Sequence, residues 1–224
     1  MSKEKRAKKP LSKATKSLNE QLQRKRGIRD LAKRFLIVCE DQKSAPNYFN
    51  ALKKHLNLSA TSVVVAGSGG HSQPIQVVDR AVEMKRNAAG EDSGTEPFDE
   101  VWCVIDGDYG NKITNARTRA TANDVKLAVS TKCFEYWVLL HFEENDTPTI
   151  KCDEVISSLK AKKHIPKYDK GSCDFHYVVP LVHDACKRAK KLRRPVEKPE
   201  DQNPCSEVYL LINAILGTGP RVSS

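Results

Sequence analysis

Apolar residues in this chain alternate between short continuous runs and longer periodic stretches. Phe35-Leu36-Ile37-Val38-Cys39 is a run of strand length closed by Glu40-Asp41. A strand apolar at every position has both faces covered, as in a parallel sheet with helices on each side. Residues 46–56 follow, with Tyr48, Phe49, Leu52 and Leu56 at three- and four-residue spacing. That spacing predicts an amphipathic helix, with Pro46 suited to its first turn. Ser62-Val63-Val64-Val65 predicts a second strand and Gly67-Ser68-Gly69-Gly70 a loop. The next helix carries Ile75, Val78, Val82 and Met84, opened by Ser72 or Gln73 and Pro74. After a polar turn at 88–97, Val101-Trp102-Cys103-Val104-Ile105 predicts a third buried strand, cut off by Asp106-Gly107-Asp108. VKLAV at 125–129 predicts a shorter fourth strand, and the alternation places a helix between the two. Residues 133–142, CFEYWVLLHF, are apolar nearly all round and predict a buried helix. Two or three more helices are expected over 152–161, 175–192 and 205–216. The order implies an α/β fold, a mostly parallel sheet sandwiched by helices, with additional C-terminal helices.

Composition adds a boundary. The 224 residues are 39% apolar and 29% charged, and 38 Lys/Arg stand against 28 Asp/Glu for a net charge of +10. Residues 1–34 hold 13 of those cations and 3 of the acids, so they carry the whole excess. The expected organisation is a basic N-terminal arm over 1–33 and a neutral domain over 34–216. Residues 1–27 are poor in core residues and are expected to be mobile by themselves. Leu18, Leu22, Ile28 and Leu31 offer a weak helical stripe near the end of the arm. The arm reads equally as a solvated tail or as a segment that lies along phosphates or docks on a partner. No apolar run approaches the roughly 18 residues of a membrane span, and MSKEKRAKKP lacks the apolar stretch of a secretory signal. The seven cysteines never fall closer than 13 apart. With no Cys-x-x-Cys pair, neither a zinc knuckle nor a disulfide framework is expected, and a reducing cytoplasm fits.

Candidate chemistry sits at the strand ends. In open parallel sheets, sites lie beyond the carboxyl ends of the strands. Glu40-Asp41 ends the first strand and Asp106-x-Asp108 the third. Carboxylates gathered there repel one another, and a hard divalent cation with oxygen ligands resolves the conflict. Each signal has a plainer reading. A lone Glu after a strand is a solvated strand end. Gly67–Gly70 is a plain loop, since no Walker lysine follows it. His55 and His71 read as surface histidines, and His141 as a satisfied core histidine. Neither a Gly-x-Ser-x-Gly elbow nor a recognisable Cys/His spacing supports a nucleophile.

The ordered motifs resemble the RloB-like family, a Toprim-related group associated with bacterial restriction and abortive-infection loci. The likeness runs through FLIVCEDQKSAPNYF at 35–49, VWCVIDGDYG at 101–110 and VKLAVSTKCFEYWVLLHFE at 125–143. YDKG at 168–171, the region 185–189 and NPCSEVYLLI at 203–212 continue it. The resemblance implies a Toprim-like core and a divalent-metal-dependent nuclease of an anti-phage system, cutting DNA or RNA with Mg2+ or Mn2+. It implies Glu40 as a metal ligand or acid-base group, and Asp106 and Asp108 as metal ligands. Glu135 and His141 match family positions in the buried helix, as a second ligand, a substrate contact or a structural network. A cognate ATPase encoded nearby is the implied partner, and a homo-oligomer is compatible with it. The family opening reads Cys-Glu-Gly-Glu-x-Thr-Glu. Here the stretch is Cys39-Glu40-Asp41-Gln42-Lys43-Ser44-Ala45, so two acids are replaced by Gln42 and Ala45. The Ser-Asn-Pro before the helix is Ser130-Thr131-Lys132.

Two readings follow. In the first, metal at Glu40, Asp106 and Asp108 serves phosphodiester hydrolysis, and Lys43 and the loop 67–72 contact phosphate. Lys187, Arg188, Lys190, Lys191, Arg193 and Arg194 are a second phosphate-binding candidate, or a solvated helix end whose charge suits the helix C-terminus. In the second, the chain is a non-catalytic nucleic-acid-binding or ATPase-partner module that retains the fold.

Overall fold

The computed structural model describes residues 33–59, 62–70, 73–90, 94–161, 164–194 and 202–217. The expected N-terminal arm lies outside them, apart from Lys33. Strand β1 (Phe35–Cys39) has every residue buried. Its side chains alternate between two cores, with Phe35, Ile37 and Cys39 on one face and Leu36 and Val38 on the other. β2 (Val63–Gly67) and β3 (Glu100–Asp106) flank it, both parallel to it. β4 (Lys126–Thr131) joins β3 in parallel. With a two-residue strand β5 (Cys205–Ser206) at one edge, the sheet order is β2-β1-β3-β4-β5.

Parallel neighbours need crossovers, and helices supply them. α2 (Pro74–Ala89) and α3 (Asn111–Ala122) cover one face through Val77, Val78, Ala81 and Val82 and through Ile113, Ala116 and Ala120. The helix expected between the third and fourth strands is therefore present, on a small-residue stripe. The opposite face is covered by α1 (Ser44–His55), α4 (Phe134–Leu139), α5 (Cys152–Ala161), α6 (Val182–Leu192) and α7 (Val208–Leu216). The described residues thus form an α/β sandwich of five strands and seven α-helices, and none of these helices is long and apolar enough to cross a membrane.

Three boundaries differ from the sequence pattern. The helix expected over 133–142 stops at Leu139. The amides of His141 and Phe142 bond three residues back, to Val138 and Leu139, which tightens the last turn. Arg188 closes that end by donating to the carbonyls of Leu140 and His141, each at 2.8 Å. The helix expected over 175–192 is shortened. Pro180 sits in a 3₁₀ turn (Val179–Leu181), and α6 starts at Val182. The helix expected over 205–216 starts at Val208, because Cys205–Ser206 form β5, antiparallel to Ser130 and Thr131 of β4.

His141 belongs to the larger core. Its ring makes edge contacts with Tyr48 and Trp137. Nε2 accepts from the Tyr48 hydroxyl at 3.0 Å and Nδ1–H donates to the Trp137 carbonyl at 3.0 Å. That pairing uses both nitrogens of a neutral imidazole. Burial pushes its pKa down to about 4 against the ordinary 6.5, with the backbone carbonyls opposing. An unfolded chain gains a proton below pH 6.5 that the native ring refuses until about pH 4, so this group costs stability across that window. We predict that the stability difference between wild type and His141→Gln, read by urea unfolding, changes by about 2 kcal/mol in favour of the variant from pH 7 to pH 5. An unchanged difference would remove His141 from the acid response.

Gly107, just past the end of β3, passes close against the end of β4. A Cβ there would lie 2.8 Å from both Cα and Oγ1 of Thr131. Gly107→Ala is expected to destabilise the fold by about 1–3 kcal/mol, seen as a lowered melting temperature; a wild-type value would contradict this packing.

Candidate functional site

The carboxyl ends of β1, β3 and β4 lie side by side, because those strands are consecutive in the sheet. Cys39 pairs with Val104, so Glu40 falls level with Ile105, one residue before Asp106. Its amide donates to the Val104 carbonyl at 3.0 Å, and its Oε2 accepts from the Asp106 amide at 3.0 Å. The Tyr109 hydroxyl donates to the other oxygen, Oε1. The Ser68 hydroxyl donates to the Glu40 carbonyl at 2.9 Å, which ties the glycine loop after β2 to the same strand end. Gly69 and Gly70 take φ of +70° and +93°, a region that favours glycine.

Asp106 turns its Oδ1 to the Phe134 amide, 2.9 Å away at the start of α4. Asp41 accepts from the amides of Lys43 and Ala45 at 3.0 and 3.1 Å, fixing the entry to α1. Asp108 stands exposed beyond the strand end. Their electrostatics show that these acids share one neighbourhood. Burial raises the Glu40 pKa, the bonds from Tyr109 and the Asp106 amide counter it, and the charges of Asp108 and Asp41 add to the rise. Burial pushes Asp106 well above the carboxylate range, with repulsion from Glu40 and Glu135 behind it and Lys170 opposing. Asp41 is raised by burial too, against its two amide bonds. Acids that resist ionisation together are the setting in which a bound cation lowers the electrostatic cost.

Glu135 lies next to this group but faces inward. It is 1% exposed. Oε1 accepts from the hydroxyls of Tyr168 at 2.7 Å and Ser44 at 3.1 Å. Oε2 lies 3.2 Å from the Lys170 ammonium. The half-exposed Lys170 is thereby held beside the acids. Burial works against its charge, but Glu135, then Asp106 and Asp41, raise its pKa overall. The Lys43 chain packs against Gly171 of the same turn. Residue spacing did not single out Lys170, Tyr168, Ser44 or Tyr109. Tyr168 and Lys170 sit in the YDKG turn that carries the family likeness, but their convergence on Glu135 depends on tertiary packing.

The donor set fits a hard divalent cation in type, being carboxylate oxygens on adjacent strand ends. It is not closed around one point. Among the described residues, the group with three ligand atoms all within 4.8 Å of one another is Cys133, Glu135 and Cys152. Glu40, Asp106 and Asp108 do not form such a group, and Tyr109 engages Glu40 Oε1 while the Phe134 amide engages Asp106 Oδ1. Cys133 and Cys152, 19 residues apart, are bonded as a disulfide, a pairing the cysteine spacing did not suggest.

The remaining candidates separate. His141 is engaged in the core, through Tyr48 and Trp137. Arg188 caps α4, and Arg193 donates to the Tyr209 hydroxyl at 2.9 Å. Lys191 pairs with Glu144 at 2.9 Å and Lys187 with Asp184 at 3.6 Å, both as exposed pairs. The Arg194 amide bonds Gln202. His71 and Ser72 lie outside the described residues.

No curated protein and no solved structure matches the chain. A family model described as RloB-like protein matches residues 35–215, from the first residue of β1 to the last turn of α7. The match spans most of the sequence and contains every acid described above, and the chain belongs to the RloB-like protein family.

Proposed function

We propose that this protein is a divalent-metal-dependent nuclease of the Toprim-like kind, acting on DNA or RNA in antiviral defence. One observation carries the reading: the Glu40 carboxylate at the end of β1 is bonded to the Asp106 amide at the end of β3, and both acids resist ionisation in a shared neighbourhood with Asp108. Mg2+ or Mn2+, held by Glu40, Asp106 and Asp108, would supply Lewis-acid stabilisation of the phosphodiester oxygens and an activated water. The protein's own residues do the rest. The Tyr109 hydroxyl donates to Glu40 Oε1 while the Asp106 amide donates to Oε2, so Glu40 is oriented toward β3 before substrate arrives. Lys170, fixed by the buried Glu135, offers an ammonium at the acid edge for a non-bridging phosphate oxygen. Lys43 on the neighbouring turn extends that positive edge.

A second reading is favoured by a different observation. Gln42 and Ala45 stand where the family has acids, and Glu40, Asp106 and Asp108 do not converge. A module that binds nucleic acid or a cognate ATPase without cutting would need no such convergence.

Labelled DNA and RNA incubated with Mn2+ or Mg2+ separate the two. We expect cleavage that is abolished by chelator and lowered about 100-fold or more in Asp106→Asn and Glu40→Gln, the scale for loss of an electrostatic transition-state contact. Binding without cleavage by the wild type, including with its neighbouring ATPase, would favour the second reading. Equal cleavage by the variants would expose a contaminant. For Lys170→Gln we expect cleavage lowered about 10- to 100-fold while Mn2+ binds more tightly by calorimetry, because a repelling charge has left the acids. Weaker Mn2+ binding would show that Lys170 supports the acids structurally instead.

A further inference from the structure

Cys133 and Cys152 are bonded to each other, whereas the other five cysteines are free, Cys173 among them partly exposed. Cys39, Cys103, Cys186 and Cys205 are free and buried, and burial raises their thiol pKa values, so they serve as small apolar groups. Cys133 immediately precedes α4, and Cys152 opens α5. Their Cα atoms are 5.8 Å apart, within the span a disulfide bridges without backbone movement. Cys133 is buried, whereas Cys152 is partly exposed and open to small reagents.

The pair is placed against the acid cluster. The residue after Cys133 supplies the amide that holds Asp106 Oδ1. The Cys133 carbonyl accepts from the Ser130 hydroxyl at 3.0 Å, at the end of β4. Cys152 Sγ lies 3.7 Å from Glu135 Oε2, the oxygen that holds Lys170. One covalent bond therefore joins the start of α5 to the residue preceding the amide that holds Asp106 Oδ1. With that bond in place, the three strand-end acids stand unconverged.

We propose that Cys133 and Cys152 are a redox-modification site that sets whether the Phe134 amide holds Asp106. The bonded form pins the start of α4. The dithiol form frees it, and Asp106 can turn toward Glu40 and Asp108. The oxidant class is a low-molecular-weight disulfide. The Cys152 thiolate attacks it and expels one small thiolate, forming a mixed disulfide. The Cys133 thiolate then attacks Cys152 Sγ, forms the protein disulfide and expels the second. Two protein thiols lose two electrons and two protons, and the small disulfide leaves as two thiols. The cation consequence rests on the proposed nuclease reading; the change at Phe134 does not.

The test uses the full chain, equilibrated in glutathione buffers from fully reducing to fully oxidising, with Cys152→Ser and Cys133→Ser beside it. Maleimide labelling and peptide mass are expected to show Cys133 and Cys152 losing reactivity together and appearing in one linked peptide. Hydrogen exchange over residues 130–139 is expected to speed up about 10-fold on reduction in the wild type. In Cys152→Ser it is expected to stay fast in every buffer. Mn2+, titrated by calorimetry, is expected to bind about 10-fold tighter to the reduced wild type and to Cys152→Ser. Cysteines that stay reactive in oxidising buffer, a different pairing, or exchange that ignores the redox state would overturn the proposal. Zinc that co-purifies and is released when the pair is oxidised would overturn it in favour of a soft-metal site. If exchange responds but Mn2+ binds neither form, the redox site stands and the metal reading falls. If Mn2+ binds both forms equally, the coupling to the acids is refuted.

Discussion

The crowding of carboxylates at the ends of buried strands is the constraint on which the rest of this site depends. Two unit charges about 5 Å apart repel by roughly 3 kcal/mol at an effective dielectric near 20. Burial adds its own penalty to each charged form. Glu40, Asp41 and Asp106 all respond by holding their protons more tightly than free acids do. The protein offsets part of the cost locally, with the Asp106 amide and Tyr109 on Glu40, the Phe134 amide on Asp106 and the first-turn amides of α1 on Asp41. These bonds are directional, so they fix the acids while they stabilise them.

The fold creates this crowding by placing β1 between β2 and β3 in a sheet covered on both faces. A central parallel strand has no solvated side, so polar residues collect where the strand runs out. Gly107 lets the Asp-Gly-Asp turn pass against Thr131, where a side chain would strike the neighbouring strand. The same edge receives α4, whose first amide meets Asp106, and the turn at Tyr168–Gly171, which reaches Glu135 from far along the chain. Close packing of the strand ends and convergence of polar groups are two aspects of one topology.

Much of the architecture was legible in the sequence because two-sided burial writes itself as an unbroken apolar run. FLIVC and VWCVI identified β1 and β3 to within a residue or two, and the acids that close them stand where those strands end. What periodicity could not show were features decided by a distant partner. β5 has two residues and exists because β4 offers an edge to pair with. CFEYWVLLHF looked like ten helical residues, but its last turn is tightened and closed by Arg188 from α6. His141 matched a family position, yet the hydroxyl that satisfies it comes from Tyr48, 93 residues away. Arg188 and Arg193 read as part of a phosphate-binding run, although each donates inside the fold.

Glu135 shows why such partners matter chemically. A carboxylate at 1% exposure is costly unless its oxygens are bonded, because removing a charge from water without compensation far exceeds the worth of one hydrogen bond. Tyr168 and Ser44 satisfy one oxygen, and Lys170 stands at the other. The Lys170 ammonium, 3.2 Å from the second oxygen, supplies the opposite charge there. The dependence runs both ways. A half-exposed lysine alone would sample solvent freely, whereas this one is tethered to a buried anion and keeps its ammonium beside Asp106 and Asp41. The ion pair thus converts a mobile surface cation into a positioned one at the carboxyl-end edge of the sheet.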